Sequence, residues 1–160
     1  MTSINQQICA NPLIRQAEPS DLSACMDIRG KTRDNPLPRE VLESIGVTEQ
    51  SWTEQMNAGV IIGAVATCEG EVVGYCFGDT QSAEILVLAI LEGYDGQGFG
   101  KQLLLEVMQQ LTKAGHQKLW LAAAPDPAMR AYGFYRHMGW TSTGTYDANG
   151  DELMEYFPSH

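Results

Sequence analysis

An apolar strand that runs into a glycine-rich turn and then into an amphipathic helix limits the folds open to this chain. Residues 83–90 are almost continuously apolar, as in a central strand covered on both faces. Leu91-Glu92-Gly93-Tyr94-Asp95-Gly96-Gln97-Gly98 follows, with glycine at three of its eight positions, and a helix begins at once. Phe99, Leu103, Leu104, Val107, Met108 and Leu111 fall on one stripe of that helix, and Gly115 ends it. A helix N-terminus carries unsatisfied N–H groups and about half a positive charge. Glycines beside it let the backbone approach a bulky anion. Two familiar phosphate motifs fail on spacing. A dinucleotide fingerprint needs glycine at 101, where the chain has Lys101; a P-loop needs glycine at 95 and Ser or Thr at 102, where it has Asp95 and Gln102. On the residues alone two readings stay open, a phosphate cradle or a turn that uses glycine only for its shape.

The rest of the chain supplies a mixed α/β pattern. Residues 13–17 read as a strand, and Glu18-Pro19-Ser20-Asp21 as a helix start with Pro in the first turn. Leu22, Cys25, Met26 and Arg29 share one face of that helix, which Asp34-Asn35-Pro36-Leu37-Pro38 breaks. A short helix at 38–45 closes at Gly46, and Thr48 caps another that carries Trp52 and Met56. Residues 60–68 and 71–78 form a hairpin around Glu69-Gly70. A strand at 118–124 ends before Pro125 and Pro127; a helix follows at 128–138. Strands at 140–146 and 152–157 flank Asn149-Gly150, a type I′ turn signal. The strand–helix–strand unit around residues 99–114 predicts that the strands before and after it are parallel neighbours. The expectation is a single domain over residues 1–160, with 1–11 set apart as a flexible N-terminal segment.

Composition excludes more than it selects. The net charge is −10, which repels phosphate backbones, so nucleic acid is not an expected partner. The same field favours a protonated amine. Neither a leader pattern nor an apolar run of about 20 residues is present, so a cytoplasmic chain without a membrane partner is expected. Cys9, Cys25, Cys68 and Cys76 form no CxxC pair, which argues against a metal and for reduced thiols. His116 follows a helix end and suits its dipole, His137 reads as a solvated helix residue, and His160 is terminal. Asp147 to Asp151 lacks a calcium loop's glycine position and distal Glu, so a hairpin turn is the better reading.

Gly96-Gln97-Gly98-Phe99-Gly100-Lys101 behind an apolar strand resembles the acetyl-CoA pyrophosphate loop of the GNAT N-acetyltransferases. Ala131-Tyr132-Gly133-Phe134-Tyr135-Arg136-His137-Met138-Gly139-Trp140 resembles the family's A-x-x-F-Y-x-x-x-G-F segment. Ile14 to Asp21 resembles its first strand and helix start, and Val73-Gly74-Tyr75 its V-G-x strand. The resemblance implies an acyl-CoA N-acyltransferase fold, an α/β domain with a mixed central sheet of about seven strands and flanking helices. It implies that the fourth and fifth strands splay around the pantetheine arm, with Leu88, Ala89 and Ile90 pairing to it. Gly96, Gln97, Gly98, Phe99, Gly100 and Lys101 would hold the pyrophosphate, Lys101 being equally well a surface lysine. Tyr135 is implied as the acid for the leaving thiolate. Glu84, at the start of the buried strand, is the candidate base, with a polar strand end as the plainer alternative. Acetyl-CoA is the implied co-substrate and no metal is implied. The acceptor is a primary amine of a small molecule or peptide, met by residues 31–56, with Trp52 and Asp79 as candidate lining. Asp95, where the family has Gln or Arg, and Ala128, where it often has Asn, remove side-chain contacts but leave the backbone cradle. A non-catalytic acyl-CoA-binding sensor is the alternative of another class, and a homodimer is compatible with the family.

Overall fold

The computed structural model describes residues 8–158, so any feature expected of residues 1–7 or of His160 lies outside the described residues. Strand β1 (Pro12–Gln16) leads through a short 3-10 turn into α1 (Leu22–Arg29). Helices α2 (Arg39–Ser44) and α3 (Glu49–Asn57) follow, then β2 (Ile61–Cys68), β3 (Glu71–Asp79) and β4 (Ile85–Ile90). Helix α4 (Phe99–Lys113), β5 (Leu119–Ala123), α5 (Arg130–His137), β6 (Thr141–Tyr146) and β7 (Glu152–Tyr156) complete the order. The strands form two antiparallel sheets, β1-β2-β3-β4 and β5-β7-β6.

Each face of the first sheet buries a different helix. On one face α4 contributes Phe99, Leu103, Leu104, Val107, Met108 and Leu111, all buried, which is the stripe read from the sequence. Gly78 makes this approach close: a Cβ there would stand 2.8 Å from Val107 Cγ1. On the other face Leu22, Cys25 and Ile28 of α1 pack with Val65, Tyr75, Phe77 and Ala89. Trp52 meets Phe77 edge-on at 5.1 Å, so it is part of this core.

Strands β4 and β5 are parallel neighbours at one point only, the Glu84–Trp120 bridge, where Trp120 N–H donates to Ala83 O at 3.2 Å. The expected parallel pairing therefore stops where it begins. Each strand is bonded on its far side to an antiparallel partner, and the two sheets' twists carry them apart. Beyond Ala123 the chain enters Pro125-Asp126-Pro127, two positions with no N–H to continue a ladder. The joint is pinned by Trp120 Nε1, which donates to Ser82 O, and by His116 Nε2 against Thr80 O at 2.6 Å.

Two local expectations are corrected. Asn149-Gly150 does not form a type I′ turn, since Asn149 lacks the positive φ that turn requires. Gly150 N–H donates to Asp147 O and Gly150 takes φ 84°, giving a three-residue loop with a left-handed third residue. The Asp147 carboxylate accepts from the N–H groups of Asn149 and Asp151, which selects this turn. Nor are all four thiols reduced. Cys9 and Cys68 form a disulfide with a Cα separation of 5.6 Å, because β1 lies antiparallel on β2 and sets the chain before Pro12 beside Cys68. Cys25 and Cys76 are free and buried.

The entry to α1 is held by a bidentate pair: Arg15 Nη1 and Nη2 donate to Asp21 Oδ2 and Oδ1, both at 2.9 Å, and Glu18 N–H donates to Asp21 Oδ2. Burial pushes the Asp21 carboxyl up, but the Arg15 bonds and the Glu18 amide outweigh it and hold the pKa below its ordinary value. Asp21→Asn should therefore lower stability by about 1–3 kcal/mol at neutral pH. A depressed folded-state pKa means that this stabilisation is present above the unfolded-state pKa and is lost as pH falls through the folded one. Chemical denaturation of both proteins at pH 7 and ~pH 2 checks it: the gap should close in acid, and an equal gap at both pH values would mean that the charge is not its source.

Candidate functional site

The divergence of β4 from β5 leaves an edge of β4 that no strand covers. Leu91 N–H donates to Val73 O at 2.8 Å, and the β3–β4 register places Ala89 opposite Tyr75 and Leu88 opposite Cys76. Hydrogen-bonded and non-bonded pairs alternate in an antiparallel ladder. The backbone groups of Ala89 are thus spent on β3, whereas those of Leu88 and Ile90 point to the open side. Of the three residues expected to meet an extended ligand arm, two offer backbone groups to the gap and one does not.

The gap leads to the glycine-rich turn. Gly93, Gly96 and Gly98 take φ of 101°, 81° and 86°, values that only glycine adopts freely. Gly98 is the N-cap of α4 and supplies no side-chain cap, so the N–H groups of Phe99, Gly100 and Lys101 precede the first intrahelical bond, which Gln102 N–H makes to Gly98 O. A Cβ at Gly96 would meet nothing within 4 Å. Gln97 is engaged by the N-terminal segment, with its Oε1 accepting from Cys9 N–H at 3.2 Å. Asp95, the departure from the family pattern, draws two cations to the cradle's rim: Arg130 Nη1 at 3.1 Å and Arg33 Nη1 at 3.7 Å. The positive charge missing from the Asp95 position is thereby present on two other side chains. Arg130 begins α5, and its N–H donates to Asp34 Oδ2.

Tyr135 projects from α5 into the core cluster that holds Cys76, the register partner of Leu88. It is 8% exposed, set between Phe134 and Trp140. Burial pushes its hydroxyl well above the ordinary value; nearby Cys76 pushes it further and Arg29 opposes. The hydroxyl therefore stays protonated throughout the physiological range. Arg136 Nη2 donates to both carboxylate oxygens of the buried Glu152, which fixes α5 on β7, and Arg136 also lies 3.6 Å over the Tyr132 ring.

Glu84 stands apart from Tyr135. It occupies the β4–β5 joint, four residues before Leu88, about 13 Å along an extended strand. Burial raises its pKa first, and the like charges of Asp79 and Asp147 add to this. Asp79 Oδ1 accepts from the N–H groups of Gln81 and Ser82. The structure adds Arg29, Arg33 and Arg130, none of which the sequence reading singled out as site residues. A charged residue on α1's apolar face was the one available signal, for Arg29. Among the described residues no group of three or more His, Cys, Asp or Glu is placed to hold a metal, and no helix is long and apolar enough to cross a membrane.

A carboxyl whose folded-state pKa is raised opposes folding once it ionises. Below the unfolded-state pKa both states are protonated and Glu84→Gln should be neutral. Above the raised folded-state pKa only the wild type carries the disfavoured charge, so the variant should melt higher at pH 7. Calorimetry across this range checks it; an unchanged or lower midpoint at pH 7 would mean that the carboxylate is satisfied where it stands.

A family model for GNAT acetyltransferases matches residues 22–140, which is 119 of the 160 residues. No curated protein sequence matches the chain. Among solved structures, the PaiA N-acetyltransferase from Thermoplasma acidophilum in complex with coenzyme A superposes with a TM-score of 0.77 at 20% identity, over 92% of this chain and 99% of that one. The ribosomal-protein-alanine N-acetyltransferase from Brucella melitensis gives 0.67 at 20% identity, over 91% and 99%. YncA from Salmonella typhimurium with its cofactor acetyl-CoA gives 0.70 at 16% identity, over 94% and 96%. These likenesses show a shared fold. With the match over three quarters of its length and the splayed-strand cradle described above, the chain belongs to the GNAT acetyltransferase family.

Proposed function

We propose that the protein moves an acetyl group from acetyl-CoA to a primary amine by direct attack. The observation that carries this reading is the continuity of the β4 edge with the cradle: open backbone groups at Leu88 and Ile90 lead to the N-terminus of α4, with Tyr135 beside them. An extended amide-bearing arm can pair along the edge while its pyrophosphate meets the α4 amides. The bound coenzyme A and acetyl-CoA of two structural neighbours support the choice of ligand. Arg33 and Arg130 add cationic charge at the rim.

In this mechanism the neutral amine attacks the thioester carbonyl, a C–N bond forms and the C–S bond breaks. Tyr135 donates its proton to the departing sulfur. The amine's surplus proton leaves through water, with Glu84 as the acceptor at the end of the gap; its raised pKa brings it closer to the working pH. Positioning of the two reactants supplies much of the rate. A cytoplasmic setting without membrane or nucleic-acid partners goes with this reading, and there the Cys9–Cys68 disulfide faces a reducing thiol pool.

The test is thiol release from acetyl-CoA with a panel of amines. Tyr135→Phe should lower kcat by about 10²–10³-fold while acetyl-CoA still raises the melting midpoint of the variant by several degrees. Stabilisation by acetyl-CoA with no thiol release from any amine would favour the non-catalytic sensor. No stabilisation at millimolar acetyl-CoA would reject both.

A further inference from the structure

Of the six arginines, Arg15, Arg33, Arg39, Arg130 and Arg136 each bond a carboxylate; among the described residues Arg29 has no carboxylate partner. Arg29 is not the most exposed of the set. It closes α1 on the face that packs against the sheet, it is half-buried, and desolvation dominates its titration and lowers its pKa. Among the described residues the groups that act on its charge are the hydroxyls of Tyr75 and Tyr135. Partial desolvation of an arginine without an anion carries a cost, and in an acidic protein of net charge −10 the lack of a counter-ion is a choice of place rather than a shortage.

The guanidinium is held as well as placed. Its Nη1 donates to Asn35 O at 2.6 Å and reaches Thr32 Oγ1 at 3.5 Å, both neutral acceptors. Asn35 takes φ 51°, a left-handed conformation that aims its carbonyl at Arg29. The next turn is tied back by Leu37 N–H on Arg29 O at 2.8 Å. Among the described residues Nε and Nη2 have no acceptor, so the side of the fork suited to a carboxylate is unused. It lies on the α1 side of the sheet, close enough to Tyr135 to oppose the rise in that hydroxyl's pKa.

We propose that Arg29 is the receptor for a carboxylate carried by the acceptor, and that the acceptor is therefore a small amino acid-type molecule with its amine and carboxylate a few bonds apart. This rests on the transferase reading above and specifies its substrate class. The protein's net charge repels a carboxylate at long range, so only a local cation free of acids can hold one. Seated on Arg29, the acceptor's amine is left near Tyr135, where the thioester is cleaved. A peptide N-terminus offers this pair of groups at short range only where its first residue is Asp or Glu.

The experiment compares α-amino acids with the amines they give on decarboxylation, by thiol release from acetyl-CoA. At least one amino acid should exceed its decarboxylated amine in kcat/KM by about 10–100-fold, mainly through KM. Arg29→Gln should collapse that ratio towards one, and Arg29→Lys should restore part of it. Arg29→Gln breaks no ion pair and loses only the bonds to Asn35 and Thr32, so its melting midpoint should stay within a few degrees of the wild type. A ratio near one in the wild type overturns the proposal, and so does an Arg29→Gln variant that keeps the ratio while slowing both substrates. If other amines release thiol from acetyl-CoA but no amino acid is turned over, the amino acid class is rejected and the transferase reading stands. If acetyl-CoA does not bind, that reading fails first.

Discussion

The Glu84–Trp120 bridge is the last point at which β4 and β5 touch, and from there to Ile90 one edge of β4 has no strand beside it. A sheet edge left open in the middle of a fold exposes backbone donors and acceptors that are costly to bury unpaired. Here the cost is tolerable because the edge opens onto a gap. The same divergence lets α5 and Tyr135 approach β4 from the side of the second sheet, and lets α1 present Arg29 from the other face. The glycine turn, the open edge and the tyrosine belong together because all three depend on two sheets that meet at one bridge and twist apart.

Charge in this protein is arranged as fasteners between elements. Arg39 bonds Asp27 and Glu49 and so holds α2 against α1 and α3. Arg15 and Asp21 fix the start of α1, and Arg136 with Glu152 fixes α5 on β7. Asp95 gathers Arg33 and Arg130 and thereby links the α1–α2 connection, the cradle and the start of α5. Exposed ion pairs add little stability singly. Their effect here is positional, since each ties one element to another. Arg29 is left out of this scheme, which is why its vacancy is informative.

The elements that periodicity governs were legible in the sequence. The α4 stripe, the antiparallel β2–β3 hairpin and the glycine stops all depend on neighbours within a few residues. Features set by contacts between distant segments were not. The strand–helix–strand rule foretells parallel neighbours but says nothing of how far they stay paired, and the two prolines after β5 were read only as a strand end. The Asn149-Gly150 signal gave the hairpin but the wrong turn, because the Asp147 side chain chose the geometry. Cys9 and Cys68 are 59 residues apart and carry no pairing motif, so only the β1–β2 register reveals them as a disulfide. In the site, the glycine run and Tyr135 were recognisable by resemblance, whereas the ion pairs of Asp95 and the isolation of Arg29 exist only once α1, α4 and α5 converge.

Hydrogen exchange with and without acetyl-CoA measures the central claim most directly, because the claim concerns named backbone amides. Occupation of the gap and cradle should slow exchange at Leu88, at Ile90 and at residues 97–101, while Ala89, already bonded to β3, should change little. Protection confined to other surfaces, with Leu88, Ile90 and the α4 N-terminus unaffected, would contradict it.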